Sequence, residues 1–273
     1  MGLEFAGEIC SAPKSCKFQK GDRVFGDWLG CYSTTIAVPV EHELHRIPKG
    51  WTYTEAAGLA ATLPVSYGGL VLFAGLGTAK GHGQAGLWGD TQEPRKTILV
   101  HAAAGGLGIA AVQIAAALGH RVIGTAGSDS KCRIAEGLGA EVCINYQKDQ
   151  KWWDRVNGLT DGQGADLVYD SVGLVGDSIR CLAHRGKVLV IGFAGREGNL
   201  EDVKMNRVLL KQASLIGYVS QNARSRLYTY SMSRTPLTDC SSGSASPPDG
   251  FLVRKLKYGR RFIHSSRVAR SNR

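Results

Sequence analysis

The sequence predicts an α/β protein built on a doubly wound parallel sheet. One observation is the stretch after Lys96. There a β-branched run, Thr97-Ile98-Leu99-Val100, meets the small-residue turn His101-Ala102-Ala103-Ala104-Gly105-Gly106-Leu107-Gly108. An Ala-rich apolar segment then runs unbroken to Leu118, and a second apolar strand, Arg121 to Thr125, follows at once. Strand, tight turn, helix and strand in that order make a parallel crossover of the kind that binds dinucleotides. A second observation is that apolar strand and helix patterns keep alternating as far as Val219.

Composition agrees. The 273 residues, 43% hydrophobic with 36 glycines, are enough for one large or two modest domains with a sizeable core. The net charge of +10 is concentrated at one end. From Gln221 onward 11 Lys and Arg face only Asp239 and Asp249, whereas residues 1–220 carry 22 basic and 21 acidic side chains. Seven cysteines at irregular spacing argue against a disulfide framework or a zinc cluster and fit a reducing, cytoplasmic setting. There is neither a membrane-spanning apolar run nor a signal-peptide pattern.

In chain order, residues 3–47 read as short strands, Glu4 to Ile9, Gly21 to Gly26 and Tyr32 to Val40, of a small barrel or sandwich. Residues 54–73 have helix-forming content around Pro64. Residues 75–96 carry six glycines, a proline and no apolar period, and read as an insertion. The alternation then gives strand 97–101, helix 106–118, strand 121–125, helix 131–138, strand 141–145, helix 152–160, strand 166–170, helix 176–183, strand 187–192 and strand 214–218. Residues 221–273, Ser-, Pro- and Arg-rich without period, read as a basic disordered tail. Its charge without aromatic interleaving or motif points to no nucleic-acid partner. The predicted domains are 1–62, 63–220 and the tail.

Several segments carry a family resemblance. Gly2-Leu3-Glu4-Phe5-Ala6-Gly7-Glu8, Lys20-Gly21-Asp22-Arg23-Val24, the Gly30 to Val38 stretch and Pro48 to Ala57 together resemble the GroES-like catalytic domain of medium-chain dehydrogenases/reductases. The resemblance implies that strands normally preceding Met1 are missing, so that this β domain is incomplete beside a Rossmann-type cofactor domain. The zinc members carry His where Leu3 stands, and Leu cannot ligate a metal. The implied branch is therefore the zinc-independent, zeta-crystallin-like quinone oxidoreductases, with no metal site. Homodimers formed through the sheet edge near Leu209 to Tyr218 are also implied.

The site follows from the crossover. Ala102, Ala104, Gly105, Gly106, Leu107 and Gly108 form an AxxGxxG turn whose backbone N–H groups can approach a pyrophosphate at a helix N-terminus. An NAD enzyme places a carboxylate at the end of the second strand, whereas this chain has Gly127-Ser128 and then Lys131, a combination that favours NADPH. By resemblance Gly127, Lys131 and Tyr146 surround the adenosine phosphate. Val172, Gly173, Ile191, Gly192 and Phe193 lie in turns after later strands and flank the nicotinamide ribose and ring. No acid/base or nucleophilic constellation is evident, and His101 reads as a turn residue facing the cofactor loop. The predicted function is hydride transfer from NADPH to a quinone or an α,β-unsaturated carbonyl as small-molecule substrate. The alternative is a catalytically impaired nucleotide-binding remnant of such an enzyme.

Overall fold

The computed structural model describes residues 2–14, 16–79, 92–195, 201–219 and 250–254, with backbone alone at 92, 250–252 and 254. In chain order its strands begin with β1 (Glu4–Ser11), β2 (Arg23–Asp27), β3 (Thr35–Pro39) and β4 (His45–Arg46). Helices α1 (Tyr53–Ala56) and α2 (Thr62–Tyr67) follow, with a π-helical turn over Gly68–Phe73. Two-residue strands β5 (Thr78–Ala79) and β6 (Gln92–Glu93) precede β7 (Thr97–Val100). The α/β series continues as α3 (Gly106–Ala117), β8 (Arg121–Ala126), α4 (Asp129–Gly137), β9 (Val142–Asn145), α5 (Trp152–Leu159) and β10 (Ala165–Asp170). It closes with α6 (Val175–Ser178), β11 (Leu182–Val190), α7 (Met205–Lys211), β12 (Ser214–Gly217) and β13 (Gly250–Arg254).

Two compact units result, residues 65–228 and residues 1–64 with 229–273. The larger holds a six-stranded sheet in the order β12-β11-β10-β7-β8-β9, parallel throughout, which is the doubly wound arrangement the sequence predicts. Both faces are covered, so its central strands read as continuous apolar runs. Alternate residues serve opposite cores. Ile98, Val100, Leu167 and Tyr169 pack with α3, whereas Leu99, Ile123 and Val168 pack with Trp152, Val156 and Ile179. Helix α3 owes its close seat on the sheet to buried Ala110, Ala111 and Ala115.

Three local expectations are corrected. The helix expected over 176–183 is four residues of α-helix and a 3₁₀ turn at Ile179–Cys181, and β11 begins at Leu182. The register explains it, because Ala165 pairs with Leu182 and Leu167 with Lys187, with Arg185 at φ 61 in the bulge of β11 between. Second, α7 was not expected, yet a parallel β11-to-β12 connection requires a crossover. Third, the helical content of 54–73 is split between α1, α2 and the π turn. There Ala74 N–H donates to Gly69 O at 2.8 Å, and Gly68 and Gly69 leave room for the Tyr218 ring.

The smaller unit is an antiparallel sheet in the order β3-β13-β1-β2-β4 around Phe5, Ile9, Val24, Ile36, Val38, Leu44 and Val253. The strand β13 corrects the tail expectation for residues 250–254, since it pairs with both β1 and β3. The tail's one apolar run, Phe251-Leu252-Val253, makes this strand. The rest of 221–273, and residues 80–91 of the expected insertion, lie outside the described residues. The insertion's roots are tied in, with Gly77 N–H donating to Glu93 Oε1 at 2.8 Å and Ala79 N–H to Leu118 O at 2.8 Å.

Val253 is fully buried. Val253→Asp places an unpaired carboxylate in the smaller unit's core and costs about 3 kcal/mol or more. Limited proteolysis should then cut within residues 1–64 under conditions that spare the parent chain.

Candidate functional site

Every predicted cofactor residue lies after the carboxyl end of a strand in the parallel sheet. The turn after β7 is set by backbone contacts. Ala102 takes the left-handed conformation at φ 49, and its carbonyl accepts the Gly105 N–H at 2.7 Å. A Cβ on Gly108 would collide with that carbonyl oxygen and would lie 2.8 Å from Ala103 Cα, so only glycine fits. In β8 a Cβ on Gly124 would lie 2.8 Å from Ala103 Cβ, so that glycine is spent on the same close approach. Gly105 caps α3 with its backbone alone and offers no side chain to bond the helix start. Gly105 and Gly106 are exposed, whereas Ala104 and Leu107 are half-buried. Free N–H groups at such a start, with the positive end of the helix dipole, suit an anion. From α2, Ser66 Oγ donates to Leu107 O at 3.1 Å and lies 2.9 Å from the Tyr169 hydroxyl. Burial pushes that phenol up to about 12.

After β8, Gly127 has no room for a Cβ, which would stand 2.8 Å from the Tyr146 hydroxyl. Tyr146, 40% exposed, thus lies over Gly127. Ser128 caps α4 by accepting the Lys131 N–H at 3.3 Å, and the Lys131 side chain is exposed with no ion pair among the described residues. The carboxylate nearest the strand end, Asp129, accepts from Lys148 Nζ at 2.6 Å and Asn145 Nδ2 at 2.7 Å. Those two donors, Lys148 first, hold it below the usual carboxylate range.

After β10, the buried Asp170 carboxylate organises the turn. Its Oδ1 accepts from Val172 N at 2.8 Å and Gly173 N at 2.9 Å, and its Oδ2 from Leu174 N at 2.7 Å. Gly173 sits at φ 93, where an L side chain is strained. The turn after β11 is clasped to this one, with Ala194 N–H donating to Ser171 O at 3.2 Å and Gly195 N–H to Val172 O at 3.0 Å. Ile191 and Gly192 are half-buried there and Phe193 is exposed. Glu201 completes the region by accepting from Val175 N and Gly176 N, both at 2.8 Å.

His101 lies in the turn as expected, but its side chain is fully buried against Thr125, Ser178 and Trp152 and does not face the cofactor loop. Ser178 Oγ donates to Leu174 O at 2.7 Å and so accepts from His101 Nε2–H at 2.9 Å, which leaves Nδ1 to accept from Thr125 Oγ1–H at 2.9 Å. The ring packs edge-on against Trp152. Burial pushes its pKa down, against the pull of Asp170 and Asp177. It cross-links the end of β8 to the end of α6. His120, also buried, donates Nε2–H to Gly77 O at 2.7 Å and accepts the Lys96 N–H at 3.2 Å.

Sheet order places these groups in one line. From β11 to β9 it runs Ile191 to Phe193, Val172 and Gly173, Ala102 to Gly108, Gly127 with Ser128 and Lys131, then Tyr146. At 4.7–4.9 Å per strand that edge spans about 19 Å. Sequence reasoning missed Ser66, Asn145, Lys148, Asp170 and Glu201. Of these, Asp170 was legible, since an Asp closing a strand before a Ser-x-Gly turn is an Asx-turn signal.

Comparison with known proteins places this geometry. The chain is 34% identical over 270 residues to quinone oxidoreductase-like protein 2 of Rattus norvegicus, covering 96% of this chain and 71% of that one. The chain belongs to the quinone oxidoreductase-like medium-chain dehydrogenases/reductases. Residues 106–234 match the zinc-binding dehydrogenase family model. A probable oxidoreductase from Mycobacterium abscessus has a similar structure, with TM-score 0.64, 30% identity and coverage of 85% of this chain and 64% of that one. The quinone oxidoreductase of Escherichia coli, solved with NADPH, gives TM-score 0.61, 25% identity and coverage of 85% and 69%. As a member of this family the chain is an oxidoreductase of the nicotinamide-dependent type. None of the described helices is long and apolar enough to cross a membrane.

Two outcomes follow from the geometry. Gly108→Ala should lower Tm and weaken nucleotide binding together, because the added methyl forces the Ala102 carbonyl out of the turn. The two buried histidines, held below their ordinary value of about 6.5, leave the unfolded chain taking up more protons as pH falls. Their contribution is full above about pH 6.5 and is lost below it, so Tm should drop between about pH 7 and pH 5 and His101→Asn should shallow that drop.

Proposed function

We propose that the chain binds NADPH along the carboxyl edge of the parallel sheet and passes a hydride to a quinone or an α,β-unsaturated carbonyl without zinc. The observation that carries this is the uncapped start of α3, open to an anion and in line with the Gly127–Tyr146 pair on one side and the clasped turns on the other. In this reading the N–H groups of Gly106 and Leu107 hold the pyrophosphate. Lys131 and the Tyr146 hydroxyl, a positive charge and a donor, hold the 2′-phosphate. Val172, Gly173, Ile191, Gly192 and Phe193 border the nicotinamide end.

Bound NADPH supplies the hydride and solvent the proton, which converts a quinone to its hydroquinone, so the protein's part is orientation and exclusion of water. The buried histidines are satisfied within the fold and take no part. Absence of zinc rests on Leu3 in the ligand position and on two thiols of the same unit, since Cys16 donates to Pro13 O and Phe18 O and Cys31 to Trp28 O.

A second copy of the chain is proposed as partner. Strand β12 is a sheet edge, and α7 exposes Met205, Leu209 and Leu210 beside it in sequence, a combination that pairing of two edges would cover.

NADPH titration followed by fluorescence should give saturable binding, and NADPH should be consumed when a simple quinone is added. A folded chain that bound neither NADPH nor NADH would defeat this reading, whereas binding without turnover would identify a nucleotide-binding remnant. Lys131→Met should weaken NADPH about tenfold and leave NADH nearly unchanged. Sedimentation should report a dimer for the parent chain and a monomer for Leu209→Glu with Leu210→Glu.

A further inference from the structure

The carboxylate nearest the end of β8 lies in the first turn of α4, and its side chain is already committed. Asp129 opens α4 two residues after Gly127 and two before Lys131, among the residues proposed to hold the 2′-phosphate. A free carboxylate there would favour NADH and repel a 2′-phosphate. Here Oδ1 accepts from Asn145 and Oδ2 from Lys148, so each oxygen has a donor and the negative charge has a partner.

The two donors are themselves aimed. Asn145 ends β9, and its Oδ1 accepts the Gln147 N–H at 3.1 Å, which orients the amide so that Nδ2 points at Asp129. Its carbonyl accepts the N–H of Lys148 at 3.1 Å and of Asp149 at 3.0 Å, closing a turn that brings the Lys148 ammonium back over α4. Tyr146, the residue lying over Gly127, sits inside that same turn. Glu136, the other acid of α4, is spent on the Cys143 N–H at 3.1 Å. With Asp129 paired to Lys148, Lys131 on the first turn of α4 is left without an ion pair among the described residues.

We propose that Lys148 and Asn145 are specificity-determining residues. By pairing the Asp129 carboxylate they quench a charge that would repel the 2′-phosphate of NADPH and so tilt the site away from NADH. Neither needs to touch the nucleotide. The preference is then set by a side-chain lock between α4 and the turn after β9, in addition to the direct contacts of Lys131 and Tyr146. This inference rests on the proposed nucleotide site.

The test compares dissociation constants for NADPH and NADH in the full chain, by fluorescence titration at one ionic strength, for the parent, Lys148→Met, and Lys148→Met with Asp129→Asn. In Lys148→Met the freed carboxylate should weaken NADPH and tighten NADH, so that their ratio moves toward NADH by about two- to fivefold, the scale of one solvent-exposed charge pair. Adding Asp129→Asn should abolish the gain in NADH. A ratio unchanged in Lys148→Met would overturn the inference, because the lysine would then have no bearing on the choice. An equal loss for both nucleotides would overturn it too, since that is the mark of a turn that merely supports Tyr146. A parent chain that binds neither nucleotide is a separate result, which removes the nucleotide site itself.

Discussion

The nucleotide-binding half hangs on one contact between backbone atoms, the Ala102 carbonyl packed against Gly108 in the first turn of α3. That contact is possible because Ala102 adopts a left-handed conformation and because Gly108 has no side chain. It draws the helix start close to the end of β7, and the consequences spread outward. Ala103 then lies so near β8 that Gly124 must also lack a Cβ, and the small face of α3 settles on the strands with Ile98, Val100, Leu167 and Tyr169 beneath it. A larger group at any of these places would lift the helix and open the core on that face.

Around this contact the turns are held by hydrogen bonds that leave little freedom. Asp170 gathers three backbone N–H groups, and the turn after β11 donates two backbone bonds to carbonyls of the turn after β10. His101 ties the end of α6 to β8 through two hydroxyls. The edge is therefore made largely of oriented peptide groups with few reactive side chains facing outward. Such an edge is suited to fixing a cofactor in place, and the chemistry is left to the cofactor.

Much of this was legible in the residues. The buried parallel strands were plain from their unbroken apolar runs, and the glycine turn, Gly127, Lys131 and Tyr146 all stand after strand ends because turn chemistry and strand period are local signals. What escaped was whatever depends on distant partners. The bulge at Arg185 comes from pairing with β10, and the commitment of Asp129 depends on a turn 16–19 residues further on. His101 looked like a residue facing the cofactor loop because nothing in its neighbours announces Ser178 and Thr125 as partners. The capping box of α1, Thr52 with Glu55, was visible as a T-x-x-E pattern and went unread. Strand β13 escaped because three apolar residues within a basic stretch carry no period.

That last strand also bears on the order in which the protein assembles. Ile9 of β1 pairs with Val253 of β13, so the sheet of the smaller unit is closed by two segments from nearly opposite ends of the described chain. The parallel sheet, by contrast, is complete once residue 217 has been made. During synthesis the larger unit can form while β1 and β3 still await the strand that separates them, each with a bare edge and half of an apolar core. The smaller unit is thus the slow, aggregation-exposed step of folding, governed by how soon one short strand arrives and finds its place.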